Sequence, residues 1–260
     1  MKKPSTMART DRLSTPGPRK FLSDSVAVLE IHALPMIRQW YLIVLGTLVF
    51  PIPMFYVFRS IAPDDAAVWQ RLLAGTLIFG VSFSTAMLVG QQIVAQRFMG
   101  HLKLVITMPV SKAAFVVGTL LYTAVSGTLS ALFLLGFALI AGVEISPTWA
   151  LAPALLLTVL ALAGIVLFVM SFAPSLPVGN IIASLIAIVL VIISPVYFTL
   201  ESAPLLLQWF GYVSPLRYAA DAIAASLGGR MDVWLELAVL AAYAVVTMGL
   251  GLWRLPWRET

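Results

Sequence analysis

The stretch QRFMGHLKLVITMPVS, residues 96–111, is the only sizeable polar interruption between two long apolar runs in the middle of the chain. Phe98, Leu102, Val105 and Ile106 recur at i, i+4, i+7 and i+8, so they share one face of a helix. Arg97, His101, Lys103 and Thr107 fall on the rest of the cylinder. Pro109 stops such a helix because it lacks the N–H for the next backbone bond, and Ser111 is placed to cap the helix that follows. The pattern predicts a basic amphipathic helix lying flat at a membrane surface, where a soluble partner can push on it. A solvated loop that merely joins two spans satisfies the same pattern.

The runs on either side set the class. The chain of 260 residues is 61% hydrophobic and 10% charged, with a mean hydropathy of +1.00. A soluble domain carries roughly 25% charged residues. Bilayer hydrocarbon about 30 Å thick needs about 20 apolar residues per helix, and several runs reach that length. The class is therefore an all-α polytopic membrane protein. Without cysteine it has neither disulfides nor thiolate metal sites. The two histidines, His32 and His101, are too far apart in sequence to suggest a metal site. No metal and no cofactor is expected on this chain.

Six spans are expected, at about residues 40–58, 72–94, 113–143, 149–172, 178–198 and 233–253. Pro51 and Pro53 should bend the outer half of the first. The third is long enough to tilt or to break near Gly127 or Gly136. Pro153 is tolerated in the first turn of the fourth. Residues 1–20 carry six cations among Ser, Thr and Pro and read as a flexible cytoplasmic tail. Residues 21–38 read as an interfacial helix with an apolar stripe of Leu22, Val26, Leu29, Ala33 and Met36, which Pro35 should kink or end. Twelve of the 16 Lys and Arg residues fall on the side of the N-terminus, which places both termini in the cytoplasm of a plasma (inner) membrane protein. The basic pI of about 9.7 then reports orientation rather than nucleic acid.

Between the last two spans, residues 194–229 are apolar but broken by Pro195, Pro204, Gly211 and Pro215. Ser214 followed by Pro215 reads as an N-cap with proline at the first helical position, and Gly228-Gly229 as the stop. The helix between them is too short to span. A re-entrant pair of short helices fits, and so does an ordinary external loop. Arg217 and Asp221 stand at i, i+4 and can pair.

The central parts of the spans hold no Asp, Glu, Lys, Arg or His, which argues against a proton-coupled transporter or an intramembrane protease. No G-x-x-x-x-G-K-[ST] motif occurs, so the chain is not expected to be an enzyme. The energy for any transport should come from a separate ATPase.

The chain after residue 20 resembles the permease subunits of type-2 ABC exporters, the family of drug, lipid and polysaccharide efflux permeases. Three features carry the resemblance: the six-span layout behind an interfacial helix, the run Gly100-His101-Leu102 with Ile106-Thr107-Met108-Pro109-Val110-Ser111, and a third, longer run. That run is Ser194-Pro195-Val196-Tyr197-Phe198, then Ala203-Pro204, then Tyr212 through Asp221. Where many relatives have an acidic residue just before the first run, this chain has Gln92 and Gln96, which removes the carboxylate for a salt bridge there. The resemblance implies that Arg97, Phe98, Gly100, His101, Leu102, Lys103, Val105 and Pro109 form a coupling helix against the ATPase. It implies that Pro195, Tyr197, Pro204, Ser214, Pro215, Arg217 and Asp221 belong to an external re-entrant hairpin. It implies a working unit of two ABC ATPase subunits, which carry ATP and Mg, and two permease chains, identical or paralogous, meeting through the first and fifth spans.

The expected function is export of a hydrophobic or amphiphilic substrate, drug-like or lipid, with Thr47, Ser82, Thr85, Thr119 and Tyr122 as candidate lining of its path. A polysaccharide or glycolipid exporter and a non-transporting assembly protein are the alternatives.

Overall fold

The computed structural model describes residues 17–38, 41, 48–98, 111–200 and 203–254. The described residues form helices and links, with no strand among them. In chain order the helices are α1 (Pro18–Arg38), α2 (Pro51–Ile61), α3 (Ala66–Phe98), α4 (Lys112–Ile140), α5 (Leu151–Met170), α6 (Leu176–Ile193), α7 (Leu205–Val213), α8 (Pro215–Leu227) and α9 (Trp234–Arg254). Five of these, α3, α4, α5, α6 and α9, are long and apolar enough to cross a membrane. The protein is a multi-pass membrane protein.

Local chemistry explains most of the boundaries. Asp65 starts α3 by accepting the Ala67 N–H at 2.7 Å. Ser111 starts α4, its side chain accepting the Ala114 N–H at 3.1 Å. The second-span helix runs longer at both ends than residues 72–94, whereas the third ends at Ile140, short of 143, and passes Gly127 and Gly136 without a break. Helix α6 ends at Ile193, because Pro195 has no N–H to extend it. At the end of α8, Gly229 adopts φ +79, a left-handed conformation that costs glycine little, and the Arg230 N–H returns to the Ala225 carbonyl at 2.9 Å.

Three expectations meet a different or partial outcome. The helix of α1 does not end at Pro35 but continues to Arg38. Its packed face is also not the expected stripe: Ser25 and Val28 are buried, whereas Leu22 and Val26 are 62% and 46% exposed. His32 lies beside the Phe115 and Tyr122 rings of α4, at centroid distances of 6.3 and 5.6 Å. The inward face of α1 is thus chosen by what α4 offers: Leu22 and Val26 of the stripe stay exposed, while Leu29 and Ala33 are half-buried. Of the expected first span, residues 40 and 42–47 lie outside the described residues, and the described remainder centres on the 11-residue α2 behind a turn at Val49 and Phe50.

Helix α3 is the centre of the bundle. Its apolar stretch is 78% buried, against 22% for α6 and for α9, and it touches α2, α4, α5, α6 and α8. Lipid tails are as apolar as leucine, so helices in a membrane are held by close packing more than by hydrophobic contrast. The α5–α9 contact shows this: a Cβ on Gly164 would lie 2.3 Å from Thr247 Oγ1 and 2.8 Å from the Met248 backbone nitrogen. Only glycine fits between these two helices.

Candidate functional site

One end of the bundle collects the start of α3, the ends of α4 and α6, the short helices α7 and α8, and the start of α9. Two ion pairs among the described residues meet there. Arg71, in the second turn of α3, donates through Nη1 to Asp221 Oδ1 of α8 at 2.5 Å. Its Nη2 donates to the backbone carbonyls of Pro195, at 2.7 Å, and Phe198, at 3.2 Å, just past α6. Arg217 donates through Nε to Asp221 Oδ2 at 3.1 Å. Its guanidinium lies 5.4 Å from the Tyr212 ring centroid and 5.1 Å from that of Tyr218. Arg71 Nε is buried with no acceptor among the described residues. One carboxylate thus holds two guanidinium groups, and the cluster keeps one positive charge in excess.

The planar fork of arginine makes this geometry available, since a lysine could not serve a carboxylate and two carbonyls at fixed angles. Arg71 thereby ties α3, the link after α6, and α8 into one unit. Other contacts support the same end. The Ser194 and Ser214 hydroxyls are hydrogen-bonded to each other, and the Tyr243 hydroxyl of α9 donates to the Val213 carbonyl. Ser214 also caps α8, accepting the Leu216 N–H at 3.3 Å. Ser146 and Thr148 N–H groups, in the link before α5, donate to the last carbonyls of α8 at 2.7 and 3.1 Å. Tyr197 fills a slot between Phe58, 4.6 Å away by ring centroids, and Gly75, where a Cβ would meet its ring at 2.6 Å.

A match to the family model described as ABC-2 type transporter covers residues 26–227, more than half of the chain. The chain belongs to the ABC-2 type transporter family. It is the permease component of an ABC exporter, and permeases of this family work with an ABC ATPase while the membrane component is not itself the catalyst. No curated protein matches the chain by direct sequence comparison.

In this ABC-2 permease the hairpin residues named from sequence come together: Pro195 offers its carbonyl to Arg71, Pro204 precedes α7 as its N-cap, and Ser214, Pro215, Arg217 and Asp221 build the first turns of α8. Arg71 is the residue that sequence reasoning missed as a partner. It stood only as one of four cations on its side, and no local spacing links it to a carboxylate 150 positions away. The candidate path residues Ser82, Thr85, Thr119 and Tyr122 are all buried within the single chain. Thr119 returns its hydroxyl to the Phe115 carbonyl at 3.0 Å, whereas the hydroxyls of Ser82 and Thr85 have no acceptor among the described residues. Thr47 lies outside the described residues. Of the expected coupling set, Arg97 and Phe98 fall in the last turn of α3, so the second-span helix runs into the start of that stretch. Gly100, His101, Leu102, Lys103, Val105 and Pro109 lie outside the described residues.

Proposed function

We propose that this chain is one half of an ATP-driven exporter that moves a hydrophobic or amphiphilic substrate, drug-like or lipid, out of the cytoplasm or the inner leaflet. Residues 96–111, at the far end of α3 from Arg71, receive the push of the ATPase. The α7–α8 pair closes the path at the opposite, outer end, held there by Arg71. The observation that carries this reading is the placement of α3. It is the most buried of the five candidate spans among the described residues, it leads at one end into residues 96–98, and at the other it holds the Asp221 clamp. A shift of α3 along or about its axis would therefore be felt at both ends.

On this reading Phe98 and Leu102 pack into a cleft of the ATPase, with Arg97 and Lys103 at the rim. The ATPase binds ATP and Mg, two copies serve two permease chains, and both termini lie in the cytoplasm. The double substitution Phe98→Asp, Leu102→Asp should leave membrane insertion intact and abolish substrate-stimulated ATP hydrolysis in the reconstituted complex. Unchanged stimulation in that variant overturns the coupling role of residues 96–111.

A further inference from the structure

Trp234 and Trp253 stand at the two ends of α9, 19 residues apart, and both are largely exposed. At 1.5 Å per residue they are about 28 Å apart, close to the thickness of bilayer hydrocarbon. Exposed tryptophans at that separation mark the two headgroup levels. Trp149, just before α5, pairs with Trp234 at 5.2 Å by ring centroids and so lies at the same level.

The contacts of α8 give depths below that level. Its last carbonyls, of Ser226 and Leu227, accept the Thr148 and Ser146 N–H groups beside Trp149. Its start adjoins Val213, whose carbonyl accepts the Tyr243 hydroxyl. Tyr243 is nine residues past Trp234 on α9, about 13 Å deeper. Helix α8 therefore runs inward from the tryptophan level, and Asp221, six residues before its last residue, lies about 9 Å below that level. The Phe198 carbonyl, which Arg71 reaches through Nη2, lies beside the same clamp.

A cavity of about 710 Å³ follows α8 over this interval. Arg230, Asp232 and Glu236 line it near the tryptophan level, and Thr199, Arg217 and Asp221 line it at the clamp. It has room for on the order of 20 waters at about 30 Å³ each. Lipid tails are an unfavourable filling, because the walls are charged at both levels. The clamp also keeps one positive charge in excess even with Arg71 engaged by Asp221 and two carbonyls. Ionisable groups at membrane depth face the bundle interior or a water-filled cavity.

We propose that this cavity is a water-filled vestibule, open to the outer side, that carries water and small hydrophilic ions about 9 Å into the membrane within one permease chain. Its base is the clamp. The barrier that the α7–α8 pair presents on the outer side is then the clamp and the packing beneath it, rather than the whole outer leaflet. The outward direction rests on the orientation proposed above, with both termini in the cytoplasm.

The chain has no cysteine, so single cysteines report without background. Thr199→Cys probes the base, and Asp64→Cys the exposed link before α3. Ala238→Cys and Ala242→Cys probe the exposed side of α9, about 6 and 12 Å below Trp234. Each full-length variant is labelled in intact membranes with a small, membrane-impermeant methanethiosulfonate, and in parallel with a polymer-linked maleimide too wide for the cavity. Thr199→Cys should react with the small reagent at least about tenfold faster than the two α9 positions, since a thiol pKa one unit higher in lipid leaves tenfold less thiolate. The polymer reagent should label Asp64→Cys and leave Thr199→Cys unlabelled. Ala224→Cys, on the α8 wall, should give the same pattern, and it stands in if a melting curve shows that Thr199→Cys is not folded. Equal rates at the base and at the α9 positions overturn the vestibule. Labelling of Thr199→Cys by the polymer as fast as Asp64→Cys overturns it too, by putting the residue on the open surface. Reaction with the small reagent from the cytoplasmic side alone overturns the orientation, and with it the outward opening; it is told apart from a dry cavity because the thiol still reacts.

Discussion

Replacing Asp221 by alanine strands two guanidinium groups at once. The Arg71 side chain is 11% exposed, that of Arg217 21%, and that of Asp221 29%. Breaking a fully buried pair from one side costs about 3–5 kcal/mol, because the surviving charge has lost both water and partner. An exposed pair contributes about 0.2–1 kcal/mol. This site lies between the two limits. Arg71 retains the Pro195 and Phe198 carbonyls, and water can reach the place Asp221 leaves. Arg217 is less buried and keeps its contact with the two tyrosine rings. The expected loss is about 2–3 kcal/mol, mostly at Arg71. For a chain of this size that corresponds to a fall in apparent Tm of about 4–12 °C. The assay is thermal denaturation of the purified permease in a single detergent, run as a cycle of Asp221→Ala, Arg71→Met and the double variant. If the pair is coupled as the geometry requires, the double variant loses less than the sum of the singles, by about 1.5–3 kcal/mol. A change within about 0.5 kcal/mol for Asp221→Ala, or strict additivity in the cycle, refutes the clamp.

Two further outcomes follow from packing and from charge. Gly164→Ala should destabilise by about 1–3 kcal/mol, because the Met248 backbone nitrogen 2.8 Å from the new methyl cannot swing aside. Gly136→Ala meets nothing within 4 Å and should be neutral or stabilising by about 0.5–1 kcal/mol through helix propensity, so parallel melting curves separate clash from propensity. Burial beside α4 holds the His32 pKa below its ordinary value, against a smaller opposing effect of the Val28 carbonyl. His32 is thus neutral when α1 is docked and takes up a proton more readily when it is not. This contribution to docking is complete above pH about 6.5 and is lost as pH falls through and below it. Hydrogen exchange in α1 should rise between pH 7.5 and 5.5, about a unit either side of that pKa, after correction for intrinsic rates, and His32→Gln should flatten the response. An equal pH response in His32→Gln removes His32 as the cause.

The sequence by itself determined what depends on near neighbours and on solvent. Long uncharged runs declare membrane spans because water is absent from the bilayer core, and no fold can change that requirement. Ser111, Pro195, Ser214-Pro215 and Gly228-Gly229 punctuate helices because capping and φ preferences act over three or four residues. The Arg217–Asp221 pair was legible for the same reason, as a single turn of helix brings the two side chains together. The tertiary structure alone decided the rest. It chose Ser25 and Val28 of α1, rather than Leu22 and Val26, to face α4. It placed Tyr197 against Gly75, and it brought Arg71 to Asp221 across 150 positions of chain. In a membrane chain nearly every face of every span is apolar, so hydropathy cannot say which face meets which helix. That choice falls to shape, where a glycine admits a ring or a backbone, and to the few polar groups that must find each other once the helices have closed around them.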